Sequence, residues 1–256
     1  MDIFHALILG LVEGITEFLP ISSTGHLILA SSLLRLPQSE FLKTFEIAIQ
    51  LGAILSVVVL YFKRFFELEV IKKLLVAFLP TAALGLLFYQ LVKTYLIGNE
   101  LVVLLALFLG GVALIVFELF HKESETATEE VKNITYTQAA LIGLFQSIAI
   151  IPGVSRSAST IIGGLLLGLK RVTILEFSFL LAVPTMMAAT ALDIYKNTAL
   201  LTPDTIPVLA VGFVTSFLIA LLSIKFLLSY VRGHSFILFG VYRILVALVF
   251  FVLFFV

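Results

Sequence analysis

The chain has 256 residues, of which 61% are hydrophobic and 12% are charged, and its mean hydropathy is +1.19. A soluble globular protein needs more surface charge than this, so the composition predicts a polytopic membrane protein. The formal net charge is zero and cysteine is absent, so a nucleic-acid partner has no electrostatic basis and disulfides and thiolate chemistry are excluded.

Two apolar regions are interrupted midway by proline, glycine and hydroxyl residues. The first region, 3–34, breaks after Leu19, and the second region, 137–169, breaks after Ile151. Proline removes a backbone donor and serine or threonine caps the helix that follows, so each region predicts helix, turn and helix. Neither arm is comfortably long enough to cross about 30 Å of hydrocarbon, which takes about 20 residues. We therefore predict two re-entrant helical hairpins.

Six uninterrupted apolar runs are long enough to cross the membrane as helices. They predict transmembrane helices at Phe45–Phe62, Leu74–Leu91, Leu101–Phe120, Ile174–Leu192, Ile206–Leu228 and Phe236–Phe255. The predicted fold class is therefore an all-α polytopic membrane protein.

One sizeable polar linker, 121–135, divides the chain into halves of 1–120 and 136–256. Each half contains one hairpin followed by three spans. Because three is odd, the second half starts on the opposite face of the membrane, which predicts an inverted-topology repeat with its site near the midplane. The halves also share short matches, namely Gly10–Glu13 with Gly143–Gln146, Ser22 with Ser155, and Glu46 with Glu176.

Lysine and arginine are unevenly distributed between the two predicted faces. The face with the linker carries ten, namely Lys63, Arg64, Lys72, Lys73, Lys122, Lys132, Lys170, Arg171, Lys225 and Arg232. The other face carries four, namely Arg35, Lys43, Lys93 and Lys196. Because cytoplasmic loops carry the excess of these residues, we predict a cytoplasmic linker and outer termini. The first hairpin then enters from outside and the second from the cytoplasm, and their tips meet inside the bilayer.

In the first hairpin, Glu13 and Glu17 lie four residues apart on one side of a helix. An ionisable side chain at bilayer depth costs at least roughly 2.5–3.5 kcal/mol on insertion scales, so two glutamates here predict a functional site. Carboxylates this close either take up a proton or bind a divalent metal ion. A proton relay or a polar seam between helices is the alternative interpretation.

The turn of the first hairpin continues with Ser22, Ser23, Thr24 and His26. Capping of the second helix accounts for at least one of these hydroxyls. His26 lies two to four residues from them, so its imidazole can take a proton from a serine while a glutamate orients the ring, as in activated nucleophiles. A structural histidine in a turn is the alternative.

The second turn contains Ser155, Arg156, Ser157 and Thr160, and is typical of an anion cradle at the start of a helix. Arg156 adds a planar fork that can bind phosphate through two hydrogen bonds. A buried salt bridge from Arg156 to one of the glutamates is the alternative, and it is compatible with the cradle because the pair can form when no ligand is bound.

The two motifs together, Glu13-Gly-Ile-Thr-Glu-Phe-Leu-Pro-Ile-Ser-Ser-Thr-Gly-His26 and Pro152-Gly-Val-Ser-Arg-Ser157, resemble those of the undecaprenyl-diphosphate phosphatase family, which is associated with bacitracin resistance. The resemblance covers the whole chain. It implies removal of the terminal phosphate of undecaprenyl diphosphate at the outer face of the bacterial plasma membrane, which regenerates the carrier lipid for cell-wall synthesis. It also implies a dependence on Mg²⁺ or Ca²⁺, for which Glu13 and Glu17 are the candidate ligands.

The residues and the resemblance together predict an acid anhydride hydrolase acting on a polyprenyl diphosphate. Ser23 is the expected nucleophile, with proton removal by His26, and a water nucleophile ordered by Glu17 or His26 is the alternative. The expected phosphate ligands are Ser22, Thr24, Ser155, Arg156, Ser157 and Thr160.

One position departs from the family pattern, because Ala158 stands where the second motif usually has glycine. The added methyl group is close enough to the cradle to narrow it.

The rival function is an ion-coupled transporter or lipid flippase, since inverted repeats belong to transporter design. The sequence leaves open whether the protein is a homodimer.

Overall fold

The computed structural model describes residues 1–96, 99–124, 126–196 and 202–256. In this part of the chain the regular structure is helical, and β-structure is limited to one isolated bridge between Thr128 and Leu169. The α-helices are α1 Ile3–Thr16, α2 Ser23–Leu33, α3 Glu40–Leu60, α4 Leu68–Leu91, α5 Glu100–Phe120, α6 Tyr136–Gln146, α7 Arg156–Leu166, α8 Arg171–Lys196, α9 Ile206–Tyr230 and α10 Ile237–Phe255.

Six of these helices, α3, α4, α5, α8, α9 and α10, are long and apolar enough to cross a membrane, which confirms the six predicted spans. Helix α3 begins at Glu40, earlier than the predicted apolar run that starts at Phe45. Ser39 caps the helix by accepting from the Leu42 amide at 3.1 Å, and Lys43 pairs with Glu40 at 2.7 Å. The helix therefore starts in polar sequence that a hydropathy criterion does not count.

Both interrupted regions fold as helix, turn and helix, as predicted. The first tip, residues 17–22, joins α1 to α2, and the second tip, residues 147–155, joins α6 to α7 through a 3₁₀ turn at Ser147–Ile150. Ser22 caps α2 and Ser155 caps α7, each accepting a hydrogen bond from the amide three residues later. Ser22 has a φ of +73°, a backbone conformation that residues other than glycine rarely adopt. Such conformations often mark functional sites.

Helix α1 packs against α9 in the same direction. Gly10 lies against Gly212, and four residues later Gly14 lies against Ser216. A Cβ at Gly10 would lie 2.6 Å from the Gly212 carbonyl oxygen, so this close backbone approach requires glycine. Because residue numbers rise together along the contact, α1 and α9 start at the same face of the bundle.

Helix α6 packs against α4, also in the same direction. The Tyr136 hydroxyl donates to Glu69 at 2.9 Å, and further along both helices the Thr81 hydroxyl donates to the Gly143 carbonyl at 2.9 Å. A Cβ at Gly143 would overlap the Ala77 carbonyl, so glycine is required here too. In addition, α3 packs against α8 and α9, and α5 packs against α10.

Ion pairs gather the loops that carry most of the lysine and arginine at one face of the bundle. Arg64, which follows α3, pairs with Glu176 of α8 at 2.7 Å. Glu118, near the end of α5, pairs with Arg171 at 2.8 Å and accepts from the Phe236 amide at 3.1 Å. The ends of α3 and α5 therefore lie at the same face as the starts of α8 and α10.

The linker is attached to this same face. The Thr128 amide donates to the Gly168 carbonyl at 2.9 Å, and the Lys170 amide donates to the Thr128 carbonyl at 3.0 Å. Glu125 of the linker, and the side chains of Lys93 and Lys196 that we assign to the other face, lie outside the described residues.

Candidate functional site

The two tips contact each other through side chains that the sequence singles out. Arg156, the first residue of α7, pairs through Nη2 with Oε1 of Glu17 at 3.0 Å. The Ser157 hydroxyl donates to the Phe18 carbonyl at 2.8 Å. The salt bridge between Arg156 and a glutamate, one of the two interpretations of Arg156, is therefore present, and it joins the hairpins.

Glu17 uses both carboxylate oxygens. Oε1 accepts from Arg156, and Oε2 accepts from the Ser23 hydroxyl at 2.5 Å. Arg156 is held in turn by a 2.9 Å hydrogen bond from Nη1 to the Ser178 carbonyl. Because a carboxylate is the direct acceptor of the Ser23 proton, Glu17 is the residue placed to deprotonate Ser23.

Among the described residues, the hydrogen bonds of the His26 ring go to groups other than the Ser23 hydroxyl, unlike the expected proton relay. Its Nδ1 lies 2.8 Å from the Ser22 carbonyl oxygen, and its Nε2 lies 2.9 Å from the Tyr242 hydroxyl. A carbonyl only accepts, so Nδ1 carries the hydrogen and Nε2 of the neutral ring accepts from Tyr242. The groups that orient the ring are thus a backbone carbonyl and a tyrosine, and neither is the glutamate that we expected.

A cavity of about 230 Å³ opens beside this cluster. Six predicted site residues line it, namely Glu17, Ser22, Ser23, Thr24, Ser155 and Arg156. The remaining lining residues are Gln50, Thr81, Gln146, Ala149, Ile150, Val154, Thr185 and Met186. The cavity therefore has one charged wall formed by the two tips and one neutral polar wall formed by amides and hydroxyls.

Ser157 and Thr160, two of the predicted phosphate ligands, do not line this cavity. Ser157 is buried and its hydroxyl is used by the Phe18 carbonyl. Thr160 is fully buried, and its hydroxyl lies 2.6 Å from the Ser178 hydroxyl. The helical geometry places both side chains on the side of α7 that packs against neighbouring elements, so they hold the tip in place.

Glu13 is fully buried, and neither of its carboxylate oxygens has a hydrogen-bond partner in the described part of the chain. A buried carboxylate requires neutralisation by a proton, a cation or a donor. The described residues contain no group of three or more His, Cys, Asp or Glu side chains that could hold a metal. Mg²⁺ is commonly held by one or two carboxylates together with water and substrate phosphates. Glu13 therefore fits a partly coordinated divalent cation, whereas Arg156 and Ser23 already occupy the oxygens of Glu17.

Arg243 of α10 is a structural element of the site that the sequence analysis missed. It is 1% exposed and donates to the carbonyls of Pro20 and Gly153, one in each tip, at 3.3 Å, and to the Ala106 carbonyl at 3.0 Å. Gly153 has a φ of +90°, and a Cβ there would lie 2.6 Å from the Val103 carbonyl oxygen. A lone arginine inside an apolar span is the sequence signal that identifies such a position.

Fold and site together define an all-helical multi-pass membrane protein whose polar cavity lies between two helix–turn–helix tips. The family model described as Bacitracin resistance protein BacA matches residues 6–249, and the chain belongs to this family. The resemblance inferred from the two motifs is thereby confirmed.

Relatives named undecaprenyl-diphosphatase are similar over nearly the whole chain. The protein of Wolinella succinogenes is 51% identical over 98% of this chain and 97% of its own length. That of Aquifex aeolicus is 51% identical over 98% of both chains. That of Sulfurihydrogenibium sp. is 50% identical over 98% of this chain and 99% of its own length.

Proposed function

We propose that this protein hydrolyses undecaprenyl diphosphate to undecaprenyl phosphate and inorganic phosphate, and so recycles the carrier lipid of cell-wall synthesis. The observation that carries the proposal is the Ser23 hydroxyl hydrogen-bonded to Glu17, which is itself paired with Arg156 in a polar cavity. The names of the relatives, at about 50% identity over the full chain, support the same activity.

In the proposed reaction Arg156 binds the terminal phosphate, with Ser22, Thr24 and Ser155 as further ligands. Ser23 Oγ forms a bond to the terminal phosphorus as the bond from that phosphorus to the bridging oxygen breaks, and undecaprenyl phosphate leaves with that oxygen. The serine proton passes to Glu17. Glu17 then releases this proton to solvent. A water molecule attacks the phosphorus of the phosphoserine, its hydroxyl bonds to the phosphorus as the bond to Ser23 Oγ breaks, its proton returns to Ser23 Oγ, and inorganic phosphate leaves.

Proton transfer in this scheme also strengthens the interaction of Arg156 with the phosphate. In the structure Arg156 Nη2 is paired with Glu17. Protonation of Glu17 removes the negative charge that competes for the guanidinium, so Arg156 binds the phosphate more strongly as the reaction proceeds. Positioning and electrostatic stabilisation then supply most of the rate acceleration, as in phosphoryl transfer generally.

A divalent cation, Mg²⁺ or Ca²⁺, is proposed at Glu13 rather than at Glu17, whose two oxygens accept hydrogen bonds from Arg156 and Ser23. The proposal is supported by the two unpartnered, buried oxygens of Glu13. The cation would offset the charge of the diphosphate when bound.

The lipid part of the proposed substrate is supported by an apolar groove of about 500 Å³ between α5, α7 and the second tip. Val154 lines both this groove and the polar cavity, so a headgroup in the cavity places its chain beside the groove. Ala158, the departure from the family pattern, lines the groove and not the polar cavity. Its methyl group is thus placed to affect the chain rather than the phosphates.

The inverted-topology repeat with two re-entrant hairpins is part of the proposal, and helix pairing supports it. Helix α1 pairs with α9 as α6 pairs with α4, while α3 pairs with α8 and α5 with α10. Exchanging the two halves leaves this pattern unchanged. Helix α4 starts at the face of the linker, whereas α9 starts at the opposite face. Because α6 runs parallel to α4 and α1 runs parallel to α9, the two hairpins enter from opposite faces.

The proposed location is the bacterial inner membrane, with the linker in the cytoplasm and the site open to the outside. The clustering of basic loops at the linker face supports this orientation. A homodimer is compatible with the proposal and is not required by the site, which a single chain forms.

Phosphate release from a C55 diphosphate by purified protein in detergent tests the proposed function. The repeat architecture favours one second candidate, an ion-coupled transporter or lipid flippase. Such a protein would move a lipid across liposomes and release no phosphate. Release of phosphate that depends on the purified protein supports the phosphatase.

A further inference from the structure

Gln146, at the end of α6, is a buried polar side chain on the neutral wall of the cavity. It is 1% exposed, and its Nε2 donates to the Thr81 hydroxyl at 3.0 Å and to the Thr185 hydroxyl at 3.2 Å. Both hydrogens of the amide nitrogen are therefore used. Its Oε1 is buried and has no partner in the described part of the chain.

The two threonines fix the orientation of this amide. The Thr81 hydroxyl donates to the Gly143 carbonyl at 2.9 Å, and the Thr185 hydroxyl donates to the Leu181 carbonyl at 2.8 Å. Each hydroxyl has only one hydrogen, so towards Gln146 it can only accept. A flipped amide would place its oxygen against two oxygens without a hydrogen between them, and Oε1 is thus held as the free atom.

Another lining residue of the same cavity carries the complementary group. Arg156 Nε is a buried donor without a partner among the described residues, as Gln146 Oε1 is a buried acceptor without one. A ligand that satisfies both must accept a hydrogen bond on one side and donate one on the other. A fully deprotonated oxyanion only accepts, whereas a phosphate that retains one proton does both.

We propose that Gln146 Oε1 accepts a hydrogen bond from the P–OH group of the terminal phosphate, which makes the cavity selective for a protonated tetrahedral oxyanion. This inference rests on the proposed function and deepens it, because it names the protonation state that the site binds. Gln146 corresponds in the other half to Glu13, so the equivalent positions carry a neutral acceptor at the end of α6 and an ionisable one in α1.

Inorganic phosphate and sulfate distinguish the proposal from simple charge attraction. Both are tetrahedral, but near pH 7 phosphate carries at least one proton and sulfate carries none. We expect purified protein in detergent to bind phosphate at least about tenfold more tightly than sulfate, measured as apparent Kd in thermal-shift titrations. This difference corresponds to about 1.4 kcal/mol. Arsenate, which is also protonated, should behave like phosphate.

Three variants locate the source of the preference. Gln146→Met removes the acceptor at similar length and should bring the two Kd values within about twofold of each other. Gln146→Glu replaces the amide N–H donors with an oxygen that faces the two threonine oxygens, so Oε1 is no longer held and the preference should fall as in Gln146→Met. Gln50→Met, which changes the other glutamine of the cavity wall, is the matched control and should retain the preference for phosphate.

Equal binding of phosphate and sulfate by the wild-type protein would overturn the proposal, whichever variants fold. An undiminished preference for phosphate in Gln146→Met would also overturn the proposal. It would show that in the wild-type protein Gln146 Oε1 is satisfied by water and not by the anion. Turnover of the C55 diphosphate is measured on the same preparation. Wild-type protein that turns over the lipid but binds neither anion contradicts this inference alone, whereas absence of both turnover and binding contradicts the proposed function.

Discussion

The Ser23 hydroxyl donates a 2.5 Å hydrogen bond to Oε2 of Glu17, so the candidate nucleophile and the candidate base face each other across the first tip. Glu17 is held in this position by Arg156 from the other half of the chain. The candidate nucleophile, the candidate base and the candidate phosphate ligand are therefore brought together only when both hairpins are in place.

The first prediction concerns the guanidinium of Arg156. Arg156→Lys keeps the charge but loses the planar fork that reaches Glu17 and the Ser178 carbonyl together, so turnover should fall at least about 100-fold. Phosphate release from the C55 diphosphate measures this. The exposed Arg35→Lys is the matched control. Near-normal turnover of Arg156→Lys would reduce Arg156 to a generic counter-ion.

The second prediction concerns the metal. Glu13→Gln keeps the shape of the side chain and removes its charge, so the concentration of Mg²⁺ or Ca²⁺ that gives half-maximal turnover should rise at least about tenfold. A titration of turnover against each cation after chelation measures it. If Glu13→Gln leaves the cation titration unchanged, Glu13 is not the ligand.

The third prediction concerns Arg243, which binds both tips from α10. Lysine cannot span the carbonyls of Pro20 and Gly153 together, so Arg243→Lys should cost about 1–3 kcal/mol of stability and lower turnover at least tenfold. Thermal unfolding and phosphate release are measured in the same detergent. Arg232→Lys, an exposed arginine before α10, is the control. A variant unchanged in both assays would show that the tips hold together without Arg243.

The fourth prediction concerns the apolar groove. Ala113→Phe narrows it from α5, so KM for the C55 diphosphate should rise severalfold while hydrolysis of a C15 diphosphate changes less than twofold. Ala83→Phe is the matched control, because Ala83 on α4 is exposed as Ala113 is and does not line the groove. Equal effects on both substrates would place the chain elsewhere.

The sequence was sufficient for much of the fold because apolar length and proline-containing breaks are local signals. The six spans and both helix–turn–helix regions follow from them. Polar starts of helices, such as Glu40 in α3, are missed because hydropathy ignores capping.

The site was only partly predictable, since the contacts that matter join residues far apart in the chain. The motifs identified Glu17, Ser23 and Arg156, which meet at the cavity. Spacing alone favoured His26 as the base, but the direction in which a side chain points out of a turn is set by tertiary contacts. The His26 ring is hydrogen-bonded to Tyr242, which lies 216 residues away in the sequence, and this contact directs the ring to Tyr242.

The measurement that tests the account most directly is turnover of the C55 diphosphate by Ser23→Ala, compared with wild-type protein in the same detergent and metal. A nucleophile contributes little to ground-state affinity, so the variant should bind inorganic phosphate within about twofold of normal. Its phosphate release should fall at least about 1,000-fold, equivalent to about 4 kcal/mol of transition-state stabilisation. Retention of a tenth or more of normal turnover would contradict nucleophilic attack by Ser23 and assign the attack to a water held by Glu17.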